Sequence, residues 1–337
     1  MLRRVGCALV LLLSSATARA AEAADCHPES GTTPCIDANS LWLATGAAHQ
    51  LTLPEPVALG RGEVGLALAV QLLERVLTAD LPSPAPDGRE VRLVDQVVEQ
   101  DLLLAAGLGH HFELGLALTI ILRQSGTGSE GLTSQRAGPL DPTATRDPRV
   151  SLGYAARLTP FLGIKPRIEL GLPLGSRSAY ASAGSLVFAP GLPAEWRLGP
   201  LAASVELALR LRRSVELGSI RWGSQAVTAL GLSLELLPND LALLAAELTL
   251  FPPLTDATSA RAAALAVETR LLPAEWLLSV HSRPQPDEPW TVALAAGAGL
   301  ALSSESSPAG EQRFVAPTSP GLRLLAEVRY TPRGGKD

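Results

Sequence analysis

The chain of 337 residues sets 28 Lys and Arg against 33 Asp and Glu, for a formal net charge of -5, and is 47% hydrophobic but only 18% charged. That balance excludes an electrostatic nucleic-acid binder, which needs a basic face. The positive mean hydropathy of +0.21 comes with 30 Gly and 27 Pro, so the apolar content belongs to many short elements between turns rather than to long apolar helices.

The first element, MLRRVGCALVLLLSSATARA, has Arg3 and Arg4, an apolar run from Val5 to Leu13, and Ala18-Arg19-Ala20 as a small-residue cleavage site. It reads as a secretory signal peptide over 1–20, because the run is well short of the ~20 residues of a spanning helix. Asp25 before Cys26 makes that cysteine a poor lipid-attachment site. Cys7 leaves with the signal, so in an oxidising compartment Cys26 and Cys35 of CHPESGTTPC are expected to form a disulfide rather than a metal site. Residues 21–60, ending in the Pro-rich LTLPEPVALG, are either a periplasmic N-terminal segment or a plug.

From 61 to 330 the chain divides into segments of about ten residues that alternate with period two, as strands do. EVGLALAVQL sets Val64, Leu66, Leu68, Val70 and Leu72 against Gly65, Ala67, Ala69 and Gln71. FELGLALTIILR, VSLGYAARL, RIELGLPLG, ASVELALRLRR, QAVTALGLSLELL, LALLAAELTLF, TVALAAGAGLAL and GLRLLAEVRY split in the same way. One face is almost continuously Leu and Val, the other mixes Gly, Ala, Ser, Thr, Glu and Arg. A soluble sandwich has the reverse, a polar exterior, so the pattern predicts an all-β transmembrane antiparallel up-and-down barrel. A helical reading explains Glu206 and Arg210 at i, i+4 but leaves glycines in the middle of nearly every element.

Turn signals sort into short connections at 109–111, 159–163, 198–200, 237–240 and 284–289, and long ones at 75–92, 124–147, 175–183, 214–223, 252–273 and 303–319. They predict twelve strands with both ends periplasmic. Fourteen result if RAAALAVETRLL at 261–272 forms a further hairpin. Phe112, Trp196, Trp290 and Tyr330 then fall at periplasmic strand ends, and Phe188, Trp222, Phe251 and Trp276 toward outer ends, as interfacial girdles do. Residues 331–337 form a short periplasmic tail.

Parity directs Asp101, Glu113, Glu169, Glu195, Glu206, Glu235, Glu247 and Glu327 into the lumen, with Arg123, Arg149, Arg157, Arg167, Arg197, Arg210, Arg212, Arg283, Arg323 and Arg329. Acids and bases nearly match. They either satisfy one another across strands inside a closed structural barrel, or line a pore and steer solutes as rings of charges do. Small interior residues, Gly65, Ala67, Ala69, Gly115, Ala117, Gly297 and Gly299, leave room for a narrow lumen or a plug. Twelve strands lie between the eight that side chains fill and the sixteen that leave a channel.

No phosphate loop, paired CxxC site or Gly-x-Ser-x-Gly elbow occurs. His110 and His111 read as turn residues rather than metal ligands, and His281 is the only histidine that parity places on the interior wall. The expectation is a protein without enzymatic chemistry, cofactor or metal.

The stretches CIDANSLW at 35–42, VRLVDQVVEQDLLLAAGLGHHFELGLAL at 91–118, ILRQSGTG at 121–128, DPRVSLGY at 147–154, AEWRLGPL at 194–201, AGAGLALS and GLRLLAEVRY resemble outer-membrane β-barrels of myxobacterial type, transporter-like or OmpA-type. Members with a peptidoglycan-binding domain after the barrel are tethered to the wall; here only seven residues follow Tyr330. The resemblance implies a Gram-negative outer-membrane location, lipid and the barrel-assembly machinery as partners, and a narrow or gated channel for small solutes. The alternative is a closed barrel for envelope integrity, or for binding through the loop 124–147.

Overall fold

The computed structural model describes residues 26, 34–81, 89–128, 139–217, 220–237, 242–254, 272–282, 289–302, 313–315 and 319–332. The signal peptide, the bulk of 261–272, Arg283 and residues 333–337 lie outside these.

Twelve antiparallel strands form a closed barrel. They are β1 (Val64–Leu81), β2 (Arg89–Gly109), β3 (Phe112–Ser125), β4 (Arg149–Tyr154), β5 (Arg167–Gly171), β6 (Val187–Leu198), β7 (Leu201–Arg210), β8 (Gln225–Leu237), β9 (Ala242–Leu250), β10 (Leu272–Ser282), β11 (Trp290–Leu302) and β12 (Leu322–Tyr330). Each pairs with the next, and the ladder from Leu66 opposite Tyr330 to Glu74 opposite Leu322 joins β12 back to β1. Closure removes sheet edges, so the ladder hydrogen bonds run right round the wall. β9 and β10 pair directly, Ala242 with Ser282 through Leu250 with Ala274, which leaves no place in the wall for a further hairpin between them, so the wall has twelve strands.

The alternation holds along the wall. Leu68, Val70, Leu114, Leu152, Leu230 and Val328 are exposed outward, Leu294 at 62% and Leu207 at 60%, while Ala67, Ala69, Ala117, Ala229, Ala245 and Ala293 are buried inside. An apolar surface running round a whole barrel far exceeds the few hundred Å² that a soluble monomer exposes.

Tight turns at His110-His111 and Gly199-Pro200 mark one end of the barrel, where β1 starts and β12 stops; His110, His111 and Gly199 all take positive φ. At this turn end the rings of Trp290 and Tyr330 lie 4.9 Å apart and those of Phe112 and Tyr154 5.0 Å apart. At the opposite, loop end the girdle expectation fails for two residues. Phe251 follows β9 in the inward phase of Glu247 and Thr249, and Trp222 sits in a hairpin of Val215–Leu217 with Ile220–Trp222; both rings are buried.

The wall is uneven. The expected loop 75–92 is largely strand, because a bulge between Glu74 and Leu77, with Arg75 at φ 52°, resets the alternation and lets β1 and β2 continue to Leu81 and Arg89. Arg313–Val315 pairs with this extension. β4 and β5 are only 6 and 5 residues long. Over that low wall the connection 172–186 turns inward, and Tyr180 and Ala181 become fully buried.

Candidate functional site

What buries Tyr180 and Ala181 is the chain's own N-terminal part. Residues 34–60 lie within the barrel and form no strand of its wall. Near the loop end Asp37 bridges Ala181 and Ala38 donates its N–H to the Tyr180 carbonyl, 2.9 Å. Cys35 and Ile36 pack there with Leu77, Leu93, Val94 and Trp222. The Cys26–Cys35 disulfide is present and rests on Gly184, where a Cβ would strike both cysteines. Leu41, Leu43 and Leu51 pack mid-barrel among Ala67, Ala69, Leu103, Val227, Phe251 and Leu277. At the turn end the segment leaves beneath β2, with the Gly62 N–H on the Gly107 carbonyl, 2.8 Å, and the Gly107 N–H on that of Glu63, 3.0 Å.

A segment without a ladder carries backbone groups that burial would leave unpaired. The wall's charged side chains satisfy them. Glu247 accepts from the N–H groups of Leu51 and Thr52, at 2.8 and 2.9 Å, and from the Thr52 hydroxyl. Arg329 donates to the carbonyls of Ala44, 3.1 Å, and Gly46, while Glu327 holds it at 2.8 Å. Arg210 donates to the Ser40 carbonyl. Lys165 donates to the Val57 carbonyl, 3.0 Å, and to Glu113, 2.7 Å, whose other oxygen accepts from the Leu59 N–H. Glycines make room: a Cβ on Gly115 would meet Thr45, and one on Gly231 would meet Gln50.

Toward the loop end these contacts become a buried network. Arg146, between β3 and β4, bonds Glu99 at 2.7 Å and Asp37 at 2.6 Å. Asn39 donates to Glu99 and accepts from Arg323 at 2.9 Å. Arg323, with no exposed surface, also reaches Gln71 and Glu275, the latter at 2.9 Å. Gln71 and Thr119 both donate to Asp101. Buried charges persist only when paired and hydrogen-bonded, and here the N-terminal segment supplies part of that pairing. On the β4–β7 side Arg149 bonds Glu169 at 2.8 Å and Arg167 bonds Glu206 at 2.8 Å.

Of the expected lumen charges, Glu113, Arg149, Arg167, Glu169, Glu206, Arg210, Glu247, Arg323, Glu327 and Arg329 thus meet one another or the segment inside, and Asp101 meets Gln71 and Thr119 of the wall. Glu195 and Arg197 form a 3.2 Å pair at the turn-end mouth, where Arg197 also meets His49 at 2.9 Å. Arg212 lies just past β7 and Glu235 is half-buried near the turn end. Two positions need correction. Arg123 is exposed because Ile121 and Arg123 oppose consecutive residues of β2, a bulge that turns Gln124 inward instead. Arg157 is exposed in a small hairpin of Ala156–Arg157 with Leu162–Ile164, whose second strand pairs with β6 at the turn end.

Several site residues escaped the sequence reading. Glu99 shares the phase of Asp101, and Glu275 that of His281, so parity alone finds both. Asp37, Asn39, Trp42, Arg146 and Lys165 lie outside barrel strands, where no periodicity applies. His281 is on the interior wall and bonds Ser279 at 2.8 Å.

No family model and no curated protein matches the chain. Among solved structures, an outer-membrane channel from Pseudomonas putida F1 is similar over 83% of this chain and 99% of its own, with a TM-score of 0.55 at 12% identity. The KdgM porin (80% and 99%, TM-score 0.46, 10% identity) and the NanC porin (79% and 100%, TM-score 0.46, 10% identity) are also similar. The first likeness carries the fold, a closed antiparallel barrel shared with an outer-membrane channel.

Proposed function

We propose that the chain is a gated outer-membrane channel for small solutes, whose lumen is filled by its own N-terminal segment. The observation that carries this reading is the direction of the interior charges: Glu247, Arg329 and Arg210 of the wall, and Lys165 beside it, bind the backbone of residues 34–60. Twelve strands enclose more than the eight-strand interior that side chains alone fill, so the segment occupies space that the wall by itself leaves open. A filling held by hydrogen bonds to its backbone is separable from the wall, and separation opens a path.

The rest of the reading follows from the exterior. The apolar band faces lipid, with the turn end periplasmic and the loop end outside, as short and long connections are arranged in such barrels. Residues 1–20 direct export, and the barrel-assembly machinery inserts the chain into the outer membrane of a Gram-negative cell, in the manner of the myxobacterial-type barrels it resembles. The interior groups bind and position; none acts as a catalyst.

The test is conductance of the full chain in planar bilayers. Wild-type protein shows rare, brief openings, and Glu247→Gln combined with Arg329→Gln lengthens them. A folded protein that opens in neither form sinks the channel and leaves the closed structural barrel.

A further inference from the structure

The wall around β4 to β7 has more cations than anions, and the surplus is local. Glu169 and Glu206 are matched by Arg149 and Arg167. Arg210 and Arg212, at the end of β7, have no carboxylate partner among the described residues. Arg210 donates to the Ser40 carbonyl and lies over the Trp42 ring, 3.8 Å from its centroid. Arg212 donates to the Gly223 carbonyl and to Gln225 Oε1, each at 2.9 Å, and lies over Trp222. A guanidinium carries five N–H groups, so both keep donors to spare.

Two neighbours sharpen the imbalance. The Gln225 side-chain nitrogen and the Trp222 indole nitrogen are buried without an acceptor, and Arg212 touches both residues. The Arg212 bond fixes the Gln225 oxygen toward itself and so assigns the orphan as a donor. Every unmatched group here donates. Buried donors are costly unless an acceptor reaches them.

Space for one exists. Between the N-terminal segment and the wall run two narrow, partly open gaps; Trp42 and Arg210 line both, and Glu169 and Glu206 line the larger. Arg149 and Arg212 line the smaller. Asp37 and Asp147 border it too, but both are engaged: Asp37 pairs with Arg146, and Asp147 accepts the N–H groups of Gly175 and Ala183 at 2.8 Å each.

We propose that Arg210 and Arg212, beside Trp42, form a binding site for a small oxyanion, a carboxylate or phosphate group, in the gap between the N-terminal segment and the wall. The planar fork of arginine matches such groups two oxygens at a time. This rests on the channel reading in one respect, since it makes the solute class a small organic acid or phosphate. The same anion competes with Ser40 for Arg210, so binding loosens the segment where it is held.

The experiment measures binding of succinate, inorganic phosphate and neutral succinamide to the full chain by calorimetry at fixed ionic strength, alongside bilayer conductance. Expected are saturable binding of succinate or phosphate, none of succinamide, and at least tenfold weaker anion binding in Arg212→Gln and in Arg210→Gln. Arg212→Lys, which keeps the charge without the fork, falls between, and it stands in where Arg210→Gln fails to fold. Succinamide binding like succinate, no anion binding by folded wild type, or Arg212→Gln binding as tightly as wild type overturns the site. Anion binding by a protein that never conducts keeps the site and removes the channel; conduction without anion binding removes the site alone.

Discussion

The carboxylate of Glu247 on β9 accepts the backbone N–H groups of Leu51 and Thr52, residues almost 200 positions earlier in the chain. One side chain thereby does for the N-terminal segment what a neighbouring strand would do for a ladder. Glu247→Gln keeps one accepting oxygen and turns the other into a donor facing a donor. Hydrogen bonds to a charged group are worth about 1.5–3 kcal/mol, and that much is lost from the segment's docking. Hydrogen exchange checks it: the amides of Leu51 and Thr52 exchange faster while those of β1 and β12 stay protected.

Arg323 and Glu275 test the loop-end network. Arg323→Met leaves the Glu275 carboxylate buried without its cation, and breaking such a pair costs about 3–5 kcal/mol. Thermal unfolding in detergent falls steeply in this single variant. Adding Glu275→Leu recovers much of the loss, because the orphaned charge goes with its partner.

Gly107 and Gly231 separate two kinds of close approach. A Cβ on Gly107 meets the backbone of Leu59 and Gly60, which cannot swing aside, whereas on Gly231 it meets the tip of Gln50, which can. Gly107→Ala therefore costs about 1–3 kcal/mol, in the range of overpacking, and Gly231→Ala costs less. The order of their unfolding temperatures reads the difference.

Leu294 tests what the exterior faces. It is 62% exposed on β11, four residues from Trp290. Leu294→Arg costs about 2–4 kcal/mol if that position lies near the bilayer midplane, measured by unfolding from lipid vesicles. In aqueous solution an arginine at an exposed site would be near neutral, so a null result in vesicles counts against lipid contact.

The disulfide holds the loop-end tip of the segment. Cys26 and Cys35 close a loop of nine residues' separation. Cross-links over short loops stabilise by roughly 2–3 kcal/mol through the unfolded chain. Reduction, or Cys35→Ser, is expected to expose the tip to added protease while the barrel keeps its resistance to detergent before heating.

The barrel was legible because lipid outside and a mixed interior impose one rule on every strand, and VELALRLRR shows it as plainly as any segment. The rule fails where a bulge shifts phase, which is why Arg123 turns out and Gln124 in, and why the strands run on past Arg75. It also says nothing of residues that belong to no strand. The charges read in the sequence as either paired or water-facing; Glu247 and Arg329 do neither alone, since their chief partners are main-chain groups of residues 44–52. No side-chain pattern encodes a backbone partner, so Ser40 and Leu51 carried no signal.

The seam between β1 and β12 has a further meaning for biogenesis. The segment enters the lumen at Gly60, a few residues before β1 begins, and reaches Cys35, buried toward the opposite mouth. A ring cannot admit such a thread easily once it is shut, least of all one ending in a cross-linked loop. Residues 34–60, which precede every strand of the wall, are thus expected to be in place when the last strand arrives, so that joining Tyr330 to Leu66 completes the wall around them in the same step.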